Sequence, residues 1–204
     1  MAVLGTFRDV DDPDRFVWLR GFTDMASRAA ALGAFYSGPV WQAHRNAANA
    51  TMVDSDDVLL LRVVRAGLGF AGSERSRAPR GATEIPQSLV VANIYYFDSD
   101  VGLPFIDFFD RVVAPALSAA DIPVRATYVS ETSPNDFPRL PVRENERVFV
   151  WFSVHRDRAA YEKALARLAQ SDGWSAIRDE LRSKMIRDPE VHRLEPTPRS
   201  ALRE

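Results

Sequence analysis

The chain has no cysteine, so it can form no disulfide, thiolate nucleophile or zinc–thiolate centre, which fits a reducing compartment. Histidine is scarce too: His44, His155 and His192 are the only three, in no HExxH arrangement and no cluster at helical spacing, which argues against a zinc site. Charge of neither sign is in excess. A formal net charge of -2 gives no electrostatic reason to expect nucleic acid or an acidic membrane as partner. No apolar run approaches the roughly 20 residues of a membrane-spanning helix. The opening Met-Ala-Val-Leu-Gly-Thr-Phe-Arg has no basic region leading into a long apolar core, so it does not read as a signal peptide. There is no Walker phosphate loop. Gly67, Gly69 and Gly72 lack the strand-to-helix context of a dinucleotide site, and no serine occupies a G-x-S-x-G elbow. These absences leave an ordinary globular composition and the expectation of a soluble, cytoplasmic protein that calls for no metal and no cofactor.

What the chain does have is an internal repeat, and a repeat decides the architecture before anything else. Residues 16–52 are written again, without gaps, at 149–185. Phe16-Val17-Trp18 meets Phe149-Val150-Trp151; Asp24, Ala26, Ala31 and Leu32 meet Asp157, Ala159, Ala164 and Leu165; Trp41, Ala43, Arg45 and Met52 meet Trp174, Ala176, Arg178 and Met185. The register continues to Val58 and Leu61, which meet Val191 and Leu194.

Pattern then predicts the elements. Strands are expected over 2–8, 15–22 and 58–63, and helices over 25–36, capped by Asp24, and 39–51, opened by Pro39. Residues 65–87 shift to Gly, Ser, Pro and Arg and read as a solvated linker carrying Arg65, Arg75, Arg77 and Arg80. The second half reads strand 88–97, helix 103–120 kinked or restarted at Pro115, strand 124–130, a Pro-rich connection, strand 147–155, helices 158–170 and 174–185, and a last strand near 190–195. That order is β-α-β-β-α-β, a ferredoxin-like unit. The expected domains are therefore 1–64, a partial unit; 65–87, a linker; and 88–204, a complete unit. The first unit lacks its first strand and helix, so an upstream extension of the natural chain or a second molecule is expected to cover the gap.

The segment Phe7-Arg-Asp-Val-Asp-Asp-Pro-Asp-Arg-Phe-Val-Trp-Leu-Arg-Gly-Phe resembles the actinobacterial branch of the NIPSNAP family. So do Phe35-Tyr, Pro39-Val-Trp-Gln-Ala-His-Arg, Pro134-Asn-Asp-Phe-Pro-Arg-Leu-Pro-Val-Arg-Glu and Pro196-Thr-Pro-Arg-Ser. The resemblance implies an α+β fold of tandem ferredoxin-like repeats from the dimeric α/β-barrel superfamily, with the two sheets closing into a pseudo-dimeric barrel and helices outside. The family's biochemical role is unsettled. Relatives across the superfamily include cofactor-free monooxygenases acting on aromatics, haem-degrading enzymes and isomerases.

Three groups of residues carry candidate chemistry. Trp41, His44, Arg45 and Ala48 share one helix face, where His44 would be a general base or substrate contact, or a surface histidine. Haem degraders pair such a Trp and His with an Asn on the first strand, but Asn93 and Trp174 of the second unit face Ile177 where His44 would stand, so no unit has the full set. On the strands, Trp18 and Arg20, and Trp151 and His155, alternate onto single faces, as do Asn93, Tyr95 and Phe97; such residues suit either a pocket for a flat apolar ligand or a packed core. The third group is the 131–147 connection, where Arg139 and Arg143 hold either an anion or a clamp across the two units. The expected function is binding of a small apolar or aromatic molecule, with His44 and Arg20 catalytic and Trp18, Trp41, Asn93, Trp151, His155 and Trp174 in contact with it. Cofactor-independent monooxygenation or isomerisation is the chemistry such a site would perform. The alternative is a non-catalytic interaction or assembly protein. A homo-oligomer is expected in either case.

Overall fold

A computed structural model describes residues 1–70 and 77–203. The first repeat supplies β1 (Ala2–Asp9), β2 (Phe16–Gly21), α1 (Met25–Ser37), α2 (Pro39–Asn49) and the short β3 (Leu61–Val63). The second supplies β4 (Leu89–Tyr96), α3, β5 (Val124–Ser130), β6 (Val148–His155), α4 (Arg158–Gln170), α5 (Trp174–Ser183) and β7 (Glu190–Pro196). Helix α3 runs Leu103–Phe108, widens to a π turn at Phe109–Val113 and continues at Ala114–Ala119. The π turn stands just ahead of Pro115, whose missing N–H breaks the ordinary ladder at that point.

The repeat in sequence is a repeat in shape. Asp24 and Asp157 are both extended N-caps, each accepting from a backbone N–H three residues on, and Asp24 completes a capping box with Ser27. Between α4 and α5 the chain turns through Gly173 at φ +78°, a left-handed conformation that needs no strain only in glycine.

All seven strands form one curled antiparallel sheet in the order β2-β1-β7-β4-β6-β5-β3. The block β7-β4-β6-β5 is the ferredoxin-like arrangement expected of the second unit. The first unit has no counterpart of β4 or α3 among the described residues. In the second unit β4 lies between β6 and β7; the counterparts of those two strands, β2 and β3, are the two ends of the sheet. The expected closed barrel is therefore an open half-barrel, interrupted at the position of one strand.

Alternation sorts the sheet's side chains onto two faces. Tyr95, Phe149, Trp151 and Val129 point to the helix-covered face and pack with Phe105, Phe109, Val113 and Leu117 of α3 and with Ala164, Leu168 and Leu181 of α4 and α5. Phe7, Val90, Ile94, Val150, Phe152 and Leu194 point to the concave face. Both faces of β4 and β6 are covered, so all sixteen of their residues are buried. The concave face is filled: Phe70 packs on Phe152 (ring centroids 5.2 Å apart) and on Tyr128, and Leu202 joins them from the C-terminal end. The segment read as a solvated linker is thus partly built in, because an apolar concave surface takes up the one aromatic it offers. Arg65 pairs with Asp107 and Asp110, and Arg77 donates to the carbonyl of Arg199. Gly72 and Arg75 lie outside the described residues. The strand expected over 58–63 is shortened to three residues beside β5.

The Pro-rich 131–147 connection is a clamp. Arg28 of α1, almost fully buried, pairs with Asp136 and bonds Asn135 Oδ1 at 3.1 Å, while Tyr36 stacks on Phe137 at 5.9 Å. Arg143 reaches Asp57 in the first repeat (3.3 Å) and Glu146 (2.8 Å) and the Tyr96 hydroxyl (3.0 Å) in the second. Its charge is thus matched by carboxylates from both repeats. Arg139 has no such tie among the described residues.

Candidate active site in the second repeat

Between the helix-covered face of β4 and β6 and the helices α3, α4 and α5 lies a cavity of about 330 Å³, at the small end of the ~300–1,000 Å³ typical of ligand sites. Its walls are apolar: Leu117, Ile122, Leu165, Leu168, Leu181, Met185 and the ring of Trp174. Exposed Arg178, Asp179 and Arg182 stand at its rim.

Its floor is polar, and the register explains why. Asn93 on β4 pairs with Trp151 on β6, and Trp151 pairs with Thr127 on β5, so the three sit side by side in one row across the sheet. All three are buried. Asn93 Nδ2 and Thr127 Oγ1 have no hydrogen-bond partner among the described residues, and Trp151 Nε1 makes only a loose approach to the Tyr95 hydroxyl. Leaving a buried polar group unmatched costs about 1–3 kcal/mol, so two such groups and a weakly matched third in one row are an unusual concentration, and Asn93 and Trp151 line the cavity. Tyr95 and Tyr161 complete the floor and one wall. Burial holds both phenols above their ordinary pKa, so they stay neutral. His155 lies behind Tyr161, ring centroids 4.9 Å apart, with Nε2 bonded to Ser153 Oγ at 2.9 Å. Burial, aided by Arg125, pushes its pKa down and keeps the imidazole neutral.

The residues singled out in the sequence divide between two places. Asn93, Trp151 and Trp174 come together at this cavity, with His155 one layer behind. Trp18, Arg20, Trp41 and His44 belong to the first repeat and do not reach it. Arg20 stacks on Trp18 (4.7 Å) with Nη1 buried and unpartnered among the described residues. Trp41 packs against Tyr36 (4.9 Å) and Phe35 (5.5 Å), and His44 is exposed on α2. Thr127 and Tyr161 were not anticipated. The signal for Tyr161 was available, since an aromatic stands there in an Ala-rich helix where the first repeat has Arg28. Thr127 depends on cross-strand register and had none.

Among the described residues no group of three or more His, Asp and Glu side chains is placed to hold a metal ion, and no helix is long and apolar enough to cross a membrane.

No protein-family model matches the chain, and no curated protein matches it. The resemblance to the NIPSNAP family therefore rests on the quoted segments alone. Two solved structures are similar. One is a mutant of SnoaB, a cofactor-independent oxygenase from Streptomyces nogalater, at 15% identity and a TM-score of 0.34, covering 52% of this chain and 90% of that one. The other is an anthrone oxidase-like protein at 12% identity and a TM-score of 0.44, covering 97% of this chain and 78% of that one. Overlaps this loose do not constrain the chemistry of the site.

Proposed function

We propose that the cavity of the second repeat binds a small, flat, largely apolar molecule carrying an acceptor oxygen, and that it stabilises that oxygen as an anion. The observation that carries this reading is the unpartnered donor Asn93 Nδ2 beside Trp151 Nε1, which has only a loose approach to the Tyr95 hydroxyl, both set in the floor of an otherwise apolar cavity. An oxygen lodged between them would take up the unmatched Asn93 donor and give Trp151 a better acceptor at once. Donors held in a dry site favour a phenolate or enolate over its neutral parent. Such an anion is the intermediate shared by cofactor-independent oxygenation and by isomerisation, the two reaction classes such a site would serve. Kinship with the NIPSNAP family is part of the same proposal.

The test compares 2-naphthol with naphthalene, which differ by the hydroxyl alone, in calorimetric titrations of the purified protein. The expected result is tighter binding of 2-naphthol by roughly 5- to 150-fold, the equivalent of about 1–3 kcal/mol. Equal binding of the two, or binding of neither, overturns the reading. The competing view, a non-catalytic assembly protein, draws support from the filled concave face and from the exposed aromatics of β2.

A further inference from the structure

The cavity has a polar floor, apolar walls and a charged mouth, and an oxygen held at the floor gives the mouth no task. Helix α5 and the turn after it set Trp174, Arg178, Leu181, Arg182 and Met185 along one side, at helical spacing, and all five line the cavity. Three of them are apolar, as a packed stripe requires. The other two are guanidiniums. Elsewhere in the chain an arginine bordering a packed helix ties that helix to another element, as Arg28 does to Asp136, Arg65 to Asp107 and Arg167 to Asp121. Arg178 is no such tie. Its partners, Asp179 at 3.2 Å and Ser175 at 3.5 Å, belong to α5 itself, and the side chains of Arg178 and Asp179 are 61% and 69% exposed. An exposed pair of this kind contributes about 0–1 kcal/mol, so Arg178 can exchange Asp179 for another carboxylate at little cost. Arg182, one turn on, pairs with Asp188 just beyond the helix and adds a second positive charge to the mouth.

We propose that Arg178, supported by Arg182, receives a carboxylate at the outer end of the ligand. The substrate class is then a flat aromatic acid, with a hydroxyl or keto oxygen at one end and a carboxylate at the other. This rests on the reading of Asn93 and Trp151 as the floor that holds the oxygen. The apolar walls take the rings. A carboxylate left at the mouth keeps water on its open side, and so avoids the cost of carrying a charge in among Leu117, Leu168 and Leu181. A guanidinium meets a carboxylate with two parallel N–H···O bonds, which fix direction as well as position. The mouth therefore decides which end of the ligand enters: the uncharged oxygen goes in to the floor, and the acid stays at the rim.

The test is calorimetric titration of the purified protein with 6-hydroxy-2-naphthoic acid and with 2-naphthol, which share the rings and the hydroxyl and differ by a carboxylate at the far end. The acid is expected to bind about five-fold more tightly, the scale of one exposed ion pair. That advantage should fade at about 1 M salt, where the Debye length shrinks to ~3 Å. Arg178→Gln should remove it and Arg178→Lys should keep part of it, while Asp179→Asn, which frees the guanidinium, should enlarge it. Arg156→Gln, at an exposed arginine outside the cavity, should leave the ratio of the two affinities at its wild-type value. Each ratio is taken within one variant, so a general loss of fold lowers both affinities and does not imitate the effect. An acid that binds no better than 2-naphthol, an advantage that survives Arg178→Gln, or an equal loss in Arg156→Gln overturns this inference and leaves the floor standing, provided that 2-naphthol outbinds naphthalene. If 2-naphthol does not outbind naphthalene, the floor itself is overturned, and the orientation argued from it falls too.

Discussion

Replacing Asn93 by leucine separates a residue kept for binding from one kept for folding. Asn93 is 8% exposed, lies in a strand buried on both faces, and its amide nitrogen finds no partner among the described residues. Leucine has nearly the same shape and removes the unmatched donor. If that donor costs the folded chain about 1–3 kcal/mol, Asn93→Leu should be more stable by a similar amount. For a chain of this size each kcal/mol moves the midpoint by about 2–4 °C, so a rise of several degrees is expected in scanning calorimetry without ligand. The same variant should bind 2-naphthol no better than naphthalene. Stability gained with affinity lost is the signature of a group that the fold tolerates for function. If Asn93→Leu is destabilised by a kcal/mol or more, its amide is matched in the folded chain and serves structure, and the argument for an anion-binding floor fails at its first step.

Two further predictions concern the frame around the site. Phe109 is fully buried, with ring centroids 4.6 Å from Phe149 and 6.0 Å from Trp151; Phe109→Ala should cost about 3–5 kcal/mol, read as a lower urea midpoint, and a loss below 1 kcal/mol would refute the packing described for α3. His192 is bonded to Glu190 at 2.9 Å and to Asp9 at 2.8 Å, with Arg15 at 3.2 Å, and the two carboxylates raise its pKa. Its contribution to stability is complete below the unfolded value of about 6.5 and is lost as pH rises through the higher folded value. The hydrogen bond from His192 lowers the pKa of Glu190 to about 2, so the contribution of Glu190 runs the other way, present above its unfolded value and lost as pH falls toward about 2. His192→Gln should therefore flatten the decline of thermal midpoint as pH rises above about 6.5, and curves that stay parallel would refute the assignment.

How much of this could be read in advance differs from element to element. The gapless match of residues 16–52 to 149–185 carried the tandem architecture, since two stretches with the same pattern of Phe, Trp, Asp and Ala fold into the same hairpin strand and capped helices. Asp24, Pro39 and Asp157 act within a few residues of themselves, so local chemistry is enough to place their helices. The β-α-β-β-α-β order of the second half likewise followed from period and turn residues. Asn93 and Trp151 could be nominated as residues of one kind on one kind of face.

Tertiary structure decided the rest, because it depends on which residues meet across the chain. Register set Asn93, Trp151 and Thr127 in one row, and a shift of one residue in either pairing would have turned them to opposite faces. Cover, not composition, made Trp151 a cavity floor and left its repeat counterpart Trp18 in solvent: α3 lies over one and nothing described lies over the other. Phe70 was drawn from an apparent linker into the concave core because a curled sheet presents an apolar surface there that no local pattern announces. The sequence by itself determined the matching strand and helices of residues 16–52 and 149–185; packing decided which of the two lies beside a cavity and which lies at an end of the sheet.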